Sequence, residues 1–91
     1  MIKLKFSEKY KKMLRILCAN NEELIEVIEM RIFLFSKNPN DTRLRNHPLI
    51  KRLKGKWSFS VTPDIRIVYE WKGANTVRFL AIGHHEEVYK K

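Results

Sequence analysis

The sequence predicts an α+β domain in which two helices pack on one face of a small, mainly antiparallel sheet. Apolar side chains recur at every second position near the start of the chain and again throughout its second half. Between these segments, apolar side chains recur at helical spacing in two stretches. Turn-forming residues separate the segments, so the predicted order is β-α-α-β-β-β, with residues 1–91 forming one domain.

The first half of the chain predicts one strand and two helices. Residues 2–6 alternate apolar and charged side chains, as an amphipathic strand does. Ser7 is the predicted N-cap of a first helix, and Asn21 is the predicted N-cap of a second. The second helix is apolar well beyond one face, so we expect it to be deeply buried or to contact a partner. Pro39 and its polar neighbours predict where it ends.

The second half predicts a basic loop followed by three strands. Residues 42–55 show no clean period and carry six basic or imidazole side chains, which indicates a loop with a short helical turn. From Lys56 onward the period is two, which is typical of strands. Turn residues at 62–64 and 72–75 separate these strands, so two hairpins are expected.

The alternation also predicts the register of the hairpins, because opposed side chains of an antiparallel pair point to the same face. We expect Ser60 to oppose Arg66 across a three-residue loop, which places Ser58 as well as Ser60 on the face of Arg66. In the second hairpin, Ala81 is expected on the core face, whereas Arg78 and Ile82 are expected on the face of Arg66. That second face would be a poor core but a suitable phosphate-binding surface.

The charge balance indicates a polyanionic partner. Lys and Arg number 19 against 10 acidic residues, for a net charge of +9. Such an excess attracts nucleic acid, although a merely basic surface would give the same composition. The single cysteine, Cys18, excludes an internal disulfide and fits a reducing cytoplasm. The sequence shows neither a signal peptide nor the run of about 20 apolar residues that spans a membrane, so we expect a cytoplasmic protein.

Several motifs of the second half resemble the RelE/ParE superfamily of type II toxins, and most closely its YafQ-like branch. The motifs are Leu53-Lys54-Gly55-Lys56-Trp57, Pro63-Asp64, Arg66-Ile67-Val68-Tyr69, Gly83-His84-His85 and Val88-Tyr89. The resemblance implies a RelE-like fold that is similar to microbial ribonucleases. It also implies an mRNA endoribonuclease that acts at the ribosome, inhibits translation and is blocked by a cognate antitoxin protein.

The resemblance further implies a set of site residues that suits RNA cleavage by the 2′-hydroxyl. This chemistry needs a base, an acid and cations at the phosphate, but no metal or cofactor. The three histidines also lack the spacing of a closed zinc site. The catalytic candidates are His47, Asp64, Arg66, His84, His85 and Tyr89. The RNA-binding candidates are Arg45, Lys51, Lys54, Lys56 and Arg78.

Each catalytic candidate also has a structural interpretation. His84 and His85 are adjacent on an extended chain, so only one of them readily faces the site. Asp64 is equally an ordinary turn residue, and His47 is a base or simply a loop residue. Tyr89 stacks on a nucleobase, supplies a hydroxyl or packs against the sheet.

Two rival functions stay open at the level of sequence. One is a ParE-like toxin that inhibits gyrase without cutting RNA, and it should tolerate loss of the terminal histidine. The other is a catalytically degenerate homologue that only binds RNA or an antitoxin. A family histidine just before the Pro-Asp pair falls at Ser60 in this chain, and this departure keeps the second rival open.

Overall fold

The computed structural model describes residues 1–89 and confirms the predicted α+β fold class. The strands are β1 (Lys3–Phe6), β2 (His47–Pro48), β3 (Trp57–Ser60), β4 (Ile65–Trp71) and β5 (Thr76–His84), and the helices are α1 (Glu8–Leu17), α2 (Glu22–Lys37) and α3 (His85–Val88). Two single-turn 3-10 helices, Thr42–Leu44 and Lys51–Leu53, lie on either side of β2. The sequence had not predicted β2 or α3. Within residues 1–89, no helix has both the length and the apolar character that crossing a membrane requires.

The two long helices begin where the sequence predicted. The Ser7 hydroxyl accepts a hydrogen bond from the Tyr10 backbone N–H at 3.0 Å, which caps α1. The Asn21 side-chain oxygen accepts from the Leu24 N–H at 3.1 Å and caps α2. The second helix ends at Lys37, two residues before Pro39, because proline cannot continue the helical hydrogen-bond ladder.

The strands form one five-stranded mixed sheet in the order β1-β5-β4-β3-β2. The first strand pairs with β5 in parallel, and the other neighbours are antiparallel. The first hairpin has the predicted register, with Ser60 opposite Arg66. The backbone N–H of Val61 donates to the Ile65 carbonyl at 2.8 Å, which closes the predicted three-residue loop.

The second hairpin contains an irregularity that the alternation did not predict. Up to Tyr69 opposite Phe79 the register is as expected, but the next pair is Val68 opposite Ala81. Leu80 is therefore an extra residue in β5, a β-bulge, and beyond it the side chains exchange faces. The expectation that Ala81 joins the core face was wrong, as was the expectation that Ile82 leaves it.

The main core lies between the sheet and α2 and is dominated by aromatic rings. Phe35 of α2 is fully buried and stacks on Phe59 with ring centroids 4.5 Å apart. It meets the edges of the rings of Tyr69 and Phe79 at 4.8 Å and 5.9 Å. This packing fixes β3, β4 and β5 relative to one another, so side chains on their opposite face are held on a rigid base.

The opposite face of the sheet is covered in part by α3. Val88 of this helix packs with Val68 and Ala81 in a small second apolar cluster. The bulge makes the cluster possible, because it turns Ala81 toward Val68. The short helix thereby returns the end of the chain to the face that carries Arg66.

Candidate functional site

Arg66 lies in the middle of the sheet face opposite α2 and is 9 % exposed. Its Nε–H donates to the Ser58 hydroxyl oxygen at 2.7 Å. Its Nη2 donates to the carbonyl oxygens of Arg45 at 3.1 Å and of Ser58 at 3.4 Å. Since a guanidinium carries five N–H donors, the two on Nη1 remain for a ligand.

The charge of Arg66 has no carboxylate partner in the described part of the chain. Within residues 1–89, ion pairs join Lys11 to Glu8, Arg43 to Asp41 and Lys72 to Glu70. A buried charge is costly unless it is paired and hydrogen-bonded. The neutral acceptors around Arg66 orient its guanidinium without neutralising it. The arrangement therefore suits an anion that completes the site.

A continuous series of contacts joins Arg66 to His85. Ser58 accepts from Arg66 and also from the Tyr89 hydroxyl, at 2.9 Å. The Tyr89 ring meets the His85 ring edge-on, with centroids 4.4 Å apart. The His85 backbone N–H donates to the Asp64 carbonyl oxygen at 3.0 Å. Two hairpin ends and α3 therefore position one imidazole and one guanidinium on the same side of the sheet.

His47 lies on this side as well. It pairs with Ser58 across β2 and β3, and directly opposed residues project to the same face. Its ring is exposed, with Nδ1 3.1 Å from the carbonyl oxygen of Pro48. We define the Arg66 site as Arg66, Ser58, Tyr89, His85 and His47.

The loop that carries His47 is anchored by a buried tyrosine. The Tyr69 hydroxyl donates to the Asn46 side-chain oxygen at 2.8 Å, and the Tyr69 side chain is fully buried. Burial raises the pKa of Tyr69 to about 12. Asn46 lies between Arg45 and His47 in the chain, so this bond anchors the backbone segment that carries the Arg45 carbonyl and His47.

Asp64 and His84 make fewer contacts with the Arg66 site than their place among the catalytic candidates would suggest. Asp64 meets the site through its backbone carbonyl, and its residue is exposed in the turn. His84 lies in a cavity with Met13, Leu17 and Ile82, beside α1. Of the two adjacent histidines, only His85 therefore contacts the Arg66 site.

The predicted RNA-binding residues fall into separate regions. Arg78 opposes Glu70, four residues along β4 from Arg66 and hence about 13 Å away. Together with Lys56 it lines a different cavity, whose floor includes Val68. The exposed Lys51 and Lys54 lie on the second 3-10 turn and just after it. The structure does not bring Arg78 and His84 to the Arg66 site, although one shared pocket was expected.

Sequence reasoning missed two parts of this region. Ser58 was assigned to the face of Arg66 by alternation, but its place between Arg66 and Tyr89 follows only from α3, which had not been predicted. The second part is a cavity at the open edge of β3, lined by Arg31, Arg43, Arg45 and Arg66. Nothing in the helical pattern of α2 indicated that Arg31 reaches this edge. Among residues 1–89, no three His, Cys, Asp or Glu side chains are grouped closely enough to hold a metal ion.

A separate apolar surface lies on the far side of the molecule, between α1 and α2. A groove of about 540 Å³ is lined mainly by Leu14, Cys18, Ile25, Ile28 and Ile32. On another part of the α2 surface, Met30 is 60 % exposed and Phe33 is 50 % exposed. An uncovered apolar surface of this kind on a small domain is typical of a protein-binding site.

The comparisons with known proteins agree with this fold. The profile of the family described as "Bacterial toxin of type II toxin-antitoxin system, YafQ" matches residues 2–90. No curated protein sequence matches the chain significantly.

Solved toxin structures superpose over nearly the whole chain. E. coli YafQ from strain BL21(DE3) is 20 % identical, with a TM-score of 0.80 over 99 % of this chain and 100 % of that one. A metal-bound toxin from Helicobacter pylori is 29 % identical, with a TM-score of 0.75 over 98 % and 100 %. The E. coli DinJ-YafQ toxin-antitoxin complex is 20 % identical, with a TM-score of 0.72 over 98 % of both chains. The match of the family profile to almost every residue shows that this chain belongs to the YafQ family of bacterial toxins of type II toxin-antitoxin systems.

Proposed function

We propose that this toxin is an endoribonuclease that cuts messenger RNA on the ribosome and thereby inhibits translation. We further propose that it works without a metal ion and that a cognate antitoxin neutralises it. The observation that carries the proposal is Arg66, a buried cation whose Nη1 donors remain unused and whose orientation is fixed by Ser58 and the Arg45 carbonyl. Family membership supports the toxin role, and the resemblance of the motifs supports the nuclease.

In the proposed reaction, the ribose 2′-oxygen next to the scissile phosphodiester displaces the 5′-oxygen from phosphorus. The 2′-oxygen attacks phosphorus as its proton passes to a base, and the 5′-oxygen leaves with a proton from an acid. The products are a 2′,3′-cyclic phosphate and a free 5′-hydroxyl, and the reaction needs no co-reactant. Negative charge builds on the non-bridging oxygens in the transition state, where a fixed guanidinium stabilises it most.

Each residue of the Arg66 site has a distinct role in this proposal. Arg66 binds the scissile phosphate through Nη1. His85 is the acid and His47 is the base, since an imidazole can either donate or accept a proton. Tyr89 is a positioning residue, because its hydroxyl is engaged by Ser58 and its ring holds that of His85. Asp64 positions His85 through its carbonyl.

The lysines and the exposed arginines supply the approach surface for RNA. Lys51, Lys54 and Lys56 lie on the segment between β2 and β3, next to the strand that carries Ser58. Arg78 extends the positive surface along β5. Their contribution is a field that attracts the phosphate backbone, and it should weaken with added salt.

The antitoxin is proposed to cover the apolar groove between α1 and α2 and to extend over Met30 and Phe33, which are exposed elsewhere on α2. The solved DinJ-YafQ pair shows a toxin of this fold in complex with an antitoxin. The groove is the candidate contact surface because its apolar side chains are uncovered in the described part of the chain. A Met30→Asp variant should escape the antitoxin in co-expression while still arresting growth.

The nuclease proposal is tested by induced expression in cells with mapping of mRNA 5′ ends. Wild type should arrest growth and create new transcript ends. His85→Ala should do neither, whereas His84→Ala, the matched control from the neighbouring position, should behave as wild type. Arrest without new ends would favour a ParE-like gyrase inhibitor, and an absence of arrest from wild type would favour a degenerate homologue.

A purified reaction separates the remaining parts of the proposal. Cleavage of an mRNA on programmed ribosomes, but not of the same RNA alone, is the expected result. Activity that survives a chelating agent supports the metal-independent mechanism, and activity abolished by the chelator and restored by a metal ion would contradict it.

A further inference from the structure

The cavity at the open edge of β3 brings four arginines together. It measures about 260 Å³ and is lined by Arg31, Arg43, Arg45, Ser60, Thr62, Pro63 and Arg66. Four of these seven residues are arginines and none is acidic. The cavity is slightly smaller than the roughly 300–1,000 Å³ of sites that enclose a small molecule, so its size suits a single phosphate and part of its sugar.

From this cavity we infer a second phosphate subsite, which binds a backbone phosphodiester of the RNA next to the one that is cut. The inference rests on the proposed function and names where the substrate continues beyond the Arg66 site. Guanidinium groups bind phosphate oxygens in a forked, charge-assisted geometry, which makes arginine the residue best suited to such a subsite.

The position of the cavity distinguishes it from the place of cleavage. Arg66 and Ser60 belong to its lining, but His85 and Tyr89 do not. Arg66 therefore belongs both to the Arg66 site, through its bond to Ser58, and to the lining of the cavity. Since the cavity lining lacks the proposed acid, we assign the cavity to a neighbouring phosphate and the scissile phosphate to the site that includes His85.

The local structure explains why the cavity forms where it does. The second strand covers β3 only as far as Ser58, which pairs with His47. Next to Ser60 the edge of the sheet is open, and the chain from Arg43 to Arg45 runs past it. Arg31 crosses from α2 and donates through Nη1 to the Arg43 carbonyl at 2.8 Å, which holds that segment at the edge.

One carboxylate competes with the proposed ligand. Asp41 binds Arg43 through two side-chain hydrogen bonds of 2.9 Å and 2.7 Å, and this partner lowers the pKa of Asp41 to about 2. The carboxylate is therefore ionised at neutral pH and occupies two donors of Arg43. It also caps the 3-10 turn by accepting from the Arg43 N–H at 3.0 Å, a bond that asparagine can replace.

An acidic segment of a protein partner is the other polyanion that this cavity could take, and RNA is the better fit. Because Arg66 belongs both to the cavity and to the Arg66 site, the cavity adjoins the proposed path of the substrate. The lining lacks large apolar side chains, whereas the exposed apolar groove between α1 and α2 lies elsewhere. The anion expected here is thus one that follows the substrate.

The experiment measures binding of a short 2′-O-methyl RNA, which cannot be cut, over a range of salt concentrations. Arg31→Gln combined with Arg45→Gln should lower the salt slope of log affinity by about 0.7, the value for one single-strand phosphate contact. At about 0.15 M salt this corresponds to about fourfold weaker binding. The matched control, Lys12→Gln combined with Arg15→Gln on α1, also removes two positive charges, both exposed and neither lining the cavity, and it should change affinity less than about twofold.

Asp41→Asn should change RNA affinity in the opposite direction, an effect that loss of folding would not produce. Freeing Arg43 from an exposed ion pair should tighten RNA binding by about twofold or more. A cleavage assay should show a raised KM with unchanged kcat in the cavity variant, Arg31→Gln with Arg45→Gln, because the subsite binds ground state and transition state alike. Thermal melts of all variants check that each is folded.

The outcomes separate this inference from the nuclease proposal. Equal weakening by the cavity variant and by the two-charge control on α1 would overturn the subsite and leave only a general positive field. Unchanged RNA binding together with weaker antitoxin binding would overturn it in favour of a protein ligand. If RNA binding depends on the cavity but no RNA is cut, the subsite stands and the nuclease proposal fails. If RNA is cut and both variants leave KM unchanged, the nuclease stands and the subsite fails.

Discussion

Replacing Arg66 with lysine keeps the charge and tests whether the forked geometry of the guanidinium is what the site uses. In the structure, three of its five N–H groups are taken by Ser58 and the Arg45 carbonyl. The other two, on Nη1, are the ones proposed to bind the scissile phosphate. A lysine ammonium has three donors, enough for the inner acceptors alone, so none would remain for the phosphate.

The magnitude follows from the two donors that are lost. A hydrogen bond to a charged group contributes about 1.5–3 kcal/mol, so two of them contribute about 3–6 kcal/mol to the transition state. At about 1.4 kcal/mol for each factor of ten, the Arg66→Lys variant should cleave about 10²- to 10⁴-fold more slowly. The assay is single-turnover cleavage of an mRNA on programmed ribosomes, with enzyme in excess, and thermal denaturation to check folding.

A matched control is available on the same face of the sheet. Arg78→Lys makes the same chemical change at an exposed position opposite Glu70, and it should alter the rate less than about threefold, as expected of a cation that only supplies a field. If Arg66→Lys cleaves within threefold of wild type, the argument from donor count is wrong.

Three further changes test the parts that hold the site together. Tyr89→Phe removes the hydroxyl that donates to Ser58; the loss of about 1 kcal/mol of positioning should slow single-turnover cleavage about fivefold, and an unchanged rate would mean that Ser58 needs no second donor. Tyr69→Phe should make the free energy of unfolding less sensitive to alkaline pH. The Tyr69 pKa of about 12, against the ordinary 10, lowers the free energy of unfolding of the wild type by about 3 kcal/mol between pH 10 and pH 12. Below pH 10 the neutral Tyr69 leaves the wild type at its full stability, and this stability falls as the pH rises toward 12. Equilibrium unfolding should therefore show a larger fall in the free energy of unfolding between pH 9 and pH 12 in the wild type than in Tyr69→Phe. Leu44→Ala removes a fully buried side chain from the turn that precedes Arg45 and should lower the free energy of unfolding in urea by about 2–5 kcal/mol; a loss below 1 kcal/mol would show that this turn is not part of the core.

Much of the fold could be predicted because single residues decide it locally. Ser7 and Asn21 carry the side-chain acceptors that begin the two long helices. The Pro-Asp turn and the alternation on both sides of it fix the first hairpin. Since a shift of one residue would turn every core side chain of a strand outward, this register has one solution.

The bulge could not be predicted from the same pattern. The four consecutive residues from Phe79 to Ile82 are apolar, so either face assignment satisfies the hydrophobic pattern of β5. The choice between them is made by tertiary packing, in which Ala81 joins Val68 and Val88 and Ile82 joins the main core. This packing depends on α3, and a helix of four residues is too short to show a helical period in the sequence.

The candidate site divides in the same way. Strand alternation correctly assigned Arg66 and Ser58 to one face, because pleating is a local property. It also assigned Arg78 to that face but could not give the separation along the strand that places it in another cavity. The choice between His84 and His85 depended on where β5 ends and α3 begins, and the cavity at the edge of β3 depended on Arg31 reaching around from α2.

The most direct test of the central claim is cleavage of two otherwise identical ribosome-bound mRNAs that differ at one atom. One carries the normal 2′-hydroxyl at the nucleotide that is cut, and the other carries 2′-deoxyribose there. The account predicts a 2′,3′-cyclic phosphate from the first, formed by wild type and not by His85→Ala, and no cut in the second. Equal cleavage of both substrates would show that the 2′-oxygen is not the nucleophile, and the roles assigned to Arg66, His47 and His85 would have to be abandoned.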